Sequence, residues 1–337
     1  MLAGSRALSI FAYALNARTL RAHADGALRA SDLEETIGWA PQTSLRAAVA
    51  NLCELGVLAK RDPSSESRCL TTEITSAGRD LLTVADRLEY WLLHAPKGPI
   101  QLDGAAAAGA IRALIGGWDS TIVRVLAERP LTLTELNSEI PDISYPALER
   151  RLSKLRSTNL VTAIESTGKG KPYAVSDWLC HAIAPLAVAG RWERSYMADN
   201  VAPISHVEVE ASFLLTLRLV ELSHSTTGAC ALAVLTSAGD AGGEERQVAG
   251  VTLGVREGEI VSCSSDTASD PPTWALGTSD AWLEAVVDGR LDALRVRGAK
   301  PDLPMNIVQD IHDLLFPPLS TANLRVLDTD LQRFAGR

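Results

Sequence analysis

The stretch from Asn16 to Lys60 recurs without gaps 103 positions further along the chain. Leu33 aligns with Leu136, Ile37 with Ile140, Leu45 with Leu148, Val49 with Leu152, Leu52 with Leu155 and Val57 with Leu160. The apolar positions are kept while the polar ones have diverged, so the two copies share a core and differ in surface. A repeat this long exceeds the usual solenoid unit of about 20–45 residues, and two copies therefore read as tandem domains. With 337 residues the chain has room for a third at roughly 100–150 residues each. The expected division is 1–98, 99–200 and 201–337.

A hydrophobic content of 46% with 22% charged residues describes a globular chain. Its longest apolar runs, such as Gly104 to Ala110, fall short of the roughly 20 residues that span a bilayer. The apolar stretch Leu8 to Leu15 lacks a small-residue cleavage pattern and reads as a packed helix, so a cytoplasmic protein without a membrane segment is expected. Cys53, Cys69, Cys180, Cys230 and Cys263 are scattered, and the histidines show no ligand spacing. This argues against a disulfide framework, a zinc site or any other metal, and no cofactor is expected. Charge separates by region: residues 1–200 hold 22 basic and 22 acidic residues, and residues 201–337 hold 10 and 19, which accounts for the net −9. The acidic part is unsuited to nucleic acid, but the neutral part needs only a local basic surface to meet phosphates.

In the second copy, "WDSTIVRVLAERP" predicts an amphipathic helix capped by Asp119 or Ser120 and stopped by Pro130. A short helix is predicted from Thr134 to Pro141. A longer one follows, with Ser144 as N-cap, Pro146 in the first turn and Leu148, Leu152 and Leu155 on one stripe. Short helix, tight turn and longer helix form a helix-turn-helix. "LVTAIES" and "PYAVS", joined by the turn residues "TGKGKP", then predict a hairpin, or wing. The first copy repeats this order, with "VLAKR" and "RCLTTEIT" as strands and "DPSSES" at the tip.

These residues resemble the HxlR group of bacterial winged-helix transcriptional regulators. Trp118, Ile122, Leu126, the segment "LTLTELNSEIPDISYPALERRLSKLRSTNLV" and the terminal "AGRWERSY" carry the resemblance in the second copy. "ITSAGRDLL", with Thr75, Gly78 and Leu82, carries it more distantly in the first. The resemblance implies a DNA-binding regulator that responds to small molecules, and either a homodimer or one tandem chain supplying both halves. The amino-terminal cysteine of redox-sensing members is missing.

Helical phase selects the DNA-facing residues. With Leu148, Leu152 and Leu155 buried, a turn of about 100° per residue sends Arg150, Ser153 and Lys154 outward, flanked by Arg151 and Arg156. Four basic residues against Glu149 give this helix a net +3. Ser144 and Tyr145 lie at its amino end, where base edges are met, and Lys169 and Lys171 at the wing suit flanking phosphates. The candidate partner is double-stranded DNA; a solvated basic surface is the plainer reading of the same face. In the first copy the outward residues are Ala47, Ala50 and Asn51, with Arg46 to one side, which suits a protein contact better.

From Val201 the period changes. "HVEVEASFLLTLRLVEL" is ambiguous between helix and strand, and "GACALAVLT", "QVAGVTLGVREG" and "EIVSC" predict strands. "TSDAWLEAVVDG" predicts a helix from Ser279 to Gly289, "LDALRVRG" a strand and "PMNIVQDIHDLLF" a closing helix. The fold class expected is multidomain: two tandem winged helices followed by an α+β domain with an antiparallel sheet. The order of "WALGTSDAWLEAVVDGRLDALRVRG" and the helix after it resembles the sterol-carrier-protein fold, which implies an apolar tunnel. Phe213, Leu217, Trp274, Trp282, Met305, Ile311, Leu315 and Phe316 are its candidate liners, although residues at these periods equally form ordinary core. Few polar groups accompany them, so a small apolar ligand is favoured.

No nucleophile elbow, phosphate loop or paired acid and base stands out, and an enzyme is not expected. The sequence points to a ligand-responsive transcriptional regulator. The alternative is a protein that sequesters an apolar compound, with winged helices retained as scaffold.

Overall fold

The duplication is visible element by element. The structure, a computed structural model, describes residues 4–38, 40–61, 71–117, 119–165, 170–197, 204–237, 246–265 and 271–317, and it is mixed α and β. The first copy runs α1 (Ser5–Phe11), α2 (Ala14–Ala22), β1 (Leu28–Arg29), α3 (Ala30–Ile37), α4 (Gln42–Glu54), β2 (Leu58–Arg61), β3 (Thr71–Ile74) and α5 (Ser76–Leu93). The second runs α6 (Ala105–Gly117), α7 (Ser120–Glu128), α8 (Leu133–Glu139), α9 (Tyr145–Ser157), β4 (Val161–Ala163), β5 (Tyr173–Val175), α10 (Asp177–His181) and α11 (Ile183–Tyr196). At the spacing of 103, α4 and α9 coincide end to end. Leu28, which pairs with Thr72, falls on Leu131, which bridges to Tyr173.

The same local devices hold both copies. After α4 and α9 the chain turns through a left-handed residue, Gly56 at φ 69° in one copy and Asn159 at φ 59° in the other. These are the two residue types that enter this region at least cost. Thr75 caps α5 by accepting from Gly78 N and donates to the carbonyls of Gly56 and Val57. Ser176 caps α10 by accepting from Leu179 N and donates to those of Asn159 and Leu160. Gly78 is required here, because a Cβ would run into the Val57 carbonyl.

Caps also fix the helix starts that the sequence left open or misplaced. Asp119 accepts from Ile122 N and is the cap of α7. Thr132 and Glu135 form a capping box, so α8 begins at Leu133 rather than at the expected Thr134. Ser144 stands at the N-cap of α9, but its hydroxyl makes no capping bond. The first-copy tip "DPSSES" lies outside the described residues.

The third segment holds α12 (His206–Leu217), β6 (Gly228–Ser237), β7 (Arg246–Arg256), β8 (Glu259–Ser264), β9 (Thr273–Thr278), α13 (Ser279–Val287), β10 (Arg295–Gly298) and α14 (Asp302–Leu315). The ambiguous segment after Ser205 is helix. A capping box of Ser205 and Glu208 starts it, and its sides are apolar because it lies between α7 of the second copy and strand β7. Thr278, not Ser279, caps α13, and the expected strand "LDALRVRG" begins only at Arg295, after a 3-10 turn at Leu291–Ala293. The sheet order is β10-β9-β6-β7-β8. It is mixed rather than antiparallel, because β9 leaves the β6-β7-β8 meander and joins the free edge of β6 running parallel to it.

One hydrophobic core runs through all three segments. Its centre is the seam between α5 and α11. Trp91 and Trp178 stack there with ring centroids 4.4 Å apart and planes 5° from parallel. Trp91 Nε1 donates to the Trp178 carbonyl at 2.8 Å, and Trp178 Nε1 donates to the Trp91 carbonyl at 3.0 Å. Trp192 Nε1 donates to the Ala77 carbonyl at 2.8 Å. Trp91 and Trp192 lie 101 apart, as do Ala77 and Trp178, so each copy's indole bonds the same carbonyl position of the other copy. This is isologous contact, the signature of a two-fold interface, within a single chain.

A buried imidazole gives the first copy a pH dependence. His23 is fully buried, with Nδ1 2.7 Å from the Thr19 carbonyl and Nε2 2.8 Å from the Thr72 hydroxyl. Burial holds its pKa below the ordinary 6.5, and burial lowers that of His181 in the same way. Below pH 6.5 the unfolded chain binds more protons than the folded one, so stability falls with pH until the folded value is passed. Urea midpoints are expected to drop between about pH 7.5 and about pH 5.5, and His23→Gln to flatten that drop. An unchanged slope in the variant would remove His23 as a cause.

Candidate functional site

Two features stand out, an exposed basic helix and an apolar cavity. On α9, Leu148, Leu152 and Leu155 are buried. Ser144, Tyr145, Arg150, Arg151, Ser153 and Lys154 are exposed, as is Lys171 next to β5, while Lys169 lies outside the described residues. Their side chains are not equally available. Arg151 pairs with Asp119 at 2.6 Å, and Lys154 donates to the Gly116 carbonyl at 2.7 Å, so both cations are held at the junction of α6 and α7. Helical phase had placed them on the outer face and was right about exposure, but it could not show these partners. Among the described residues Arg150 has no ion pair or hydrogen bond. In the first copy Arg46, Ala47, Ala50 and Asn51 are exposed on α4. Asn51, Glu54 and Leu55 border a polar cleft of about 610 Å³ shared with α1 and the end of α11.

The cavity has a volume of about 140 Å³ and lies between α11 of the second copy and the third segment. Ile183, Leu186, Ala187 and Gly190 of α11 form one wall, and Val209, Ser212, Phe213 and Thr216 of α12 another. Trp282, Leu283 and Val286 of α13, Ile311 and Leu315 of α14, and Val234 of β6 close the remainder. Phe213 meets Trp282 edge to face at 4.8 Å, and the indole N–H is spent on the Ala233 carbonyl at 2.7 Å. The hydroxyls of Ser212 and Thr216 donate to carbonyls of their own helix. Among the described residues no lysine, arginine or histidine lines the space.

Of the candidate liners, Phe213, Trp282, Ile311 and Leu315 face this cavity, and Leu217, Trp274, Met305 and Phe316 do not line it. Leu217 borders a separate surface cleft with Ala127 and Glu128 of α7. Trp274 alternates with buried Thr273 and Ala275 on β9, and so points to the opposite sheet face. Met305 is out of phase with the buried stripe Ile307, Val308, Ile311 and Leu315 of α14. Phe316 lies beneath the Arg87 guanidinium, 5.2 Å away. The liners that sequence reasoning missed are chiefly those of α11, whose small and apolar residues read simply as a buried helix.

The polar and aromatic side chains of "AGRWERSY" tie α11 to its neighbours. Arg191 pairs with Asp288 at 3.2 Å and Arg194 with Asp280 at 2.9 Å, joining α11 to α13 on either side of the cavity. Trp192 holds α5, and the Tyr196 hydroxyl donates to Asp80 of the same helix at 2.5 Å. The buried Glu193 carboxylate accepts from Gly4, Arg6 and Ala7 at the amino end of α1. At the other end of the cavity, both Arg87 Nη atoms of α5 donate to the Pro317 carbonyl at 3.2 Å, pinning the end of α14 to the first copy.

No protein-family model and no curated protein matches the chain. Among the described residues no group of histidine, cysteine, aspartate and glutamate could hold a metal ion, and no helix is long and apolar enough to cross a membrane. Burial pushes the thiols of Cys180, Cys230 and Cys263 up to about 12. They remain protonated and unreactive at neutral pH.

Proposed function

We propose that this protein is a ligand-responsive DNA-binding transcriptional regulator. Its two copies are winged helices joined as a pseudo-dimer within one chain, α9 is the DNA reader, and the third segment is a sterol-carrier-like domain that shares its apolar cavity with α11. The observation that carries the reading is where the cavity lies. One wall is α11, which holds the seam of the two copies through Trp192, and another is α14, whose end is fixed to α5 by Arg87. A molecule filling this space touches α11 directly and bears on the first copy through the contact of α11 with α5. Shifting α11 against α5 would change the spacing of α4 and α9, and a coupling of about 1–3 kcal/mol is enough to make binding responsive.

Fluorescence anisotropy with duplex DNA from the region upstream of the coding sequence, across a salt series, tests the reading. Sequence-selective binding that weakens steeply with salt is expected, with one chain per site because the pseudo-dimer is internal. Equal affinity for scrambled DNA would refute a regulator.

The sequestering alternative keeps one observation in its favour, the engagement of Arg151 and Lys154 by Asp119 and Gly116. Under that reading the cavity binds its compound and DNA affinity stays at a weak, nonselective level.

A further inference from the structure

We infer that the cavity takes a one-ring aromatic or alicyclic amine, bound in its protonated form with the ammonium against Glu208. The inference rests on the proposal that the cavity is a ligand site and specifies the chemistry of that ligand. Size comes first. An engineered protein cavity of about 150 Å³ holds benzene, and the space of about 140 Å³ here is of that size. A single ring with a short substituent matches this space.

Charge decides the substituent. Among the described residues that line the space Glu208 is the only charged one, and the residue is 7% exposed. Oε2 accepts from the Ser205 N–H at 2.9 Å and from the Ser205 hydroxyl at 3.0 Å, which explains its role as a helix cap. Neither contact supplies a positive charge, and among the described residues Glu208 forms no ion pair. The nearest cations on α11, Arg191 and Arg194, are turned onto Asp288 and Asp280. A carboxylate in an apolar enclosure without a cation repels a carboxylate ligand and attracts an ammonium. The Phe213 and Trp282 rings add faces and edges on which a ring packs and toward which a cation is drawn. The Ser212 and Thr216 hydroxyls already donate to their own helix, leaving lone pairs that accept from an N–H donor.

Calorimetric titration of the full chain with benzylamine, benzyl alcohol and benzoate tests the inference. Benzylamine is expected to bind about ten- to hundredfold more tightly than benzyl alcohol, the range of a hydrogen bond to a charged group, and benzoate not at all. Glu208→Gln removes the charge but keeps a residue that serves in a capping box, so it is expected to fold and to bind benzylamine and benzyl alcohol alike. Equal or tighter binding of benzyl alcohol or benzoate to the natural protein would overturn the amine assignment while leaving a ligand site in place. So would an undiminished benzylamine preference in a folded Glu208→Gln variant. Binding of none of the three would overturn the cavity as a ligand site and with it the ligand-responsive reading. The ranking on the natural protein stands alone if the variant fails to fold.

Discussion

Trp91→Ala is expected to lower the unfolding free energy by about 3–5 kcal/mol, the range for removing a buried large aromatic side chain. Trp91 is 1% exposed and stacks on Trp178 across the seam. The substitution opens a cavity between the copies and leaves the Trp178 carbonyl without its donor, which adds to the loss. Trp91→Phe keeps most of the ring area and removes only the N–H, so a smaller loss of about 1–2 kcal/mol is expected from the orphaned carbonyl. Urea unfolding followed by far-ultraviolet circular dichroism measures both. Because the stack joins α5 of the first copy to α10 of the second, the loss should appear in the unfolding of both copies together. If only one part of the transition moved, the copies would be independent bodies and the two-fold seam would have no energetic role.

The charge reversals Arg150→Glu and Lys171→Glu, made together, are expected to weaken operator binding by about a hundredfold, at roughly 1.4 kcal/mol for each side chain that no longer meets the DNA. They are also expected to reduce the steepness of the salt dependence. Both side chains are exposed, and among the described residues Arg150 has no ion pair or hydrogen bond, unlike Arg151 and Lys154. This makes the pair a cleaner test than Lys154, whose removal also frees the Gly116 carbonyl. Anisotropy at two salt concentrations, with thermal unfolding to confirm the fold, decides it. Unaltered binding would move the DNA surface away from α9 and favour the sequestering alternative.

The duplicated frame was legible in the chain itself. Six apolar pairs at one spacing predicted two copies, and α4 and α9 occupy the repeat end to end, because helix registers follow from burying a stripe of period 3.6. In the third segment β9 was not predicted, but the closing helix was legible for the same reason, and β6, β7 and β8 were legible from apolar, β-rich runs between turn residues. So was the outward face of α9, where exposure follows from phase alone.

Partners distant along the chain could not be read this way. Arg151 and Lys154 find theirs 32 and 38 residues away, at a helix cap and a helix end, and no periodicity announces such contacts. Trp192 of "AGRWERSY" and Trp91 of α5 were visible as residues, yet their matching bonds to the carbonyls of Ala77 and Trp178 needed α5, α10 and α11 brought together. Four of the eight candidate liners failed because apolar character fixes burial but not direction. Trp274 and Met305 show this directly, being set by strand alternation and helix phase relative to neighbours that only packing assigns. The sequence by itself determined two copies, a basic helix and an acidic third segment of different period, since these depend on local period and composition. The tertiary structure decided that the cavity lies between α11 of the second copy and the helices α12, α13 and α14 of the third segment, because a cavity exists only where surfaces of separate elements fail to fill the space between them.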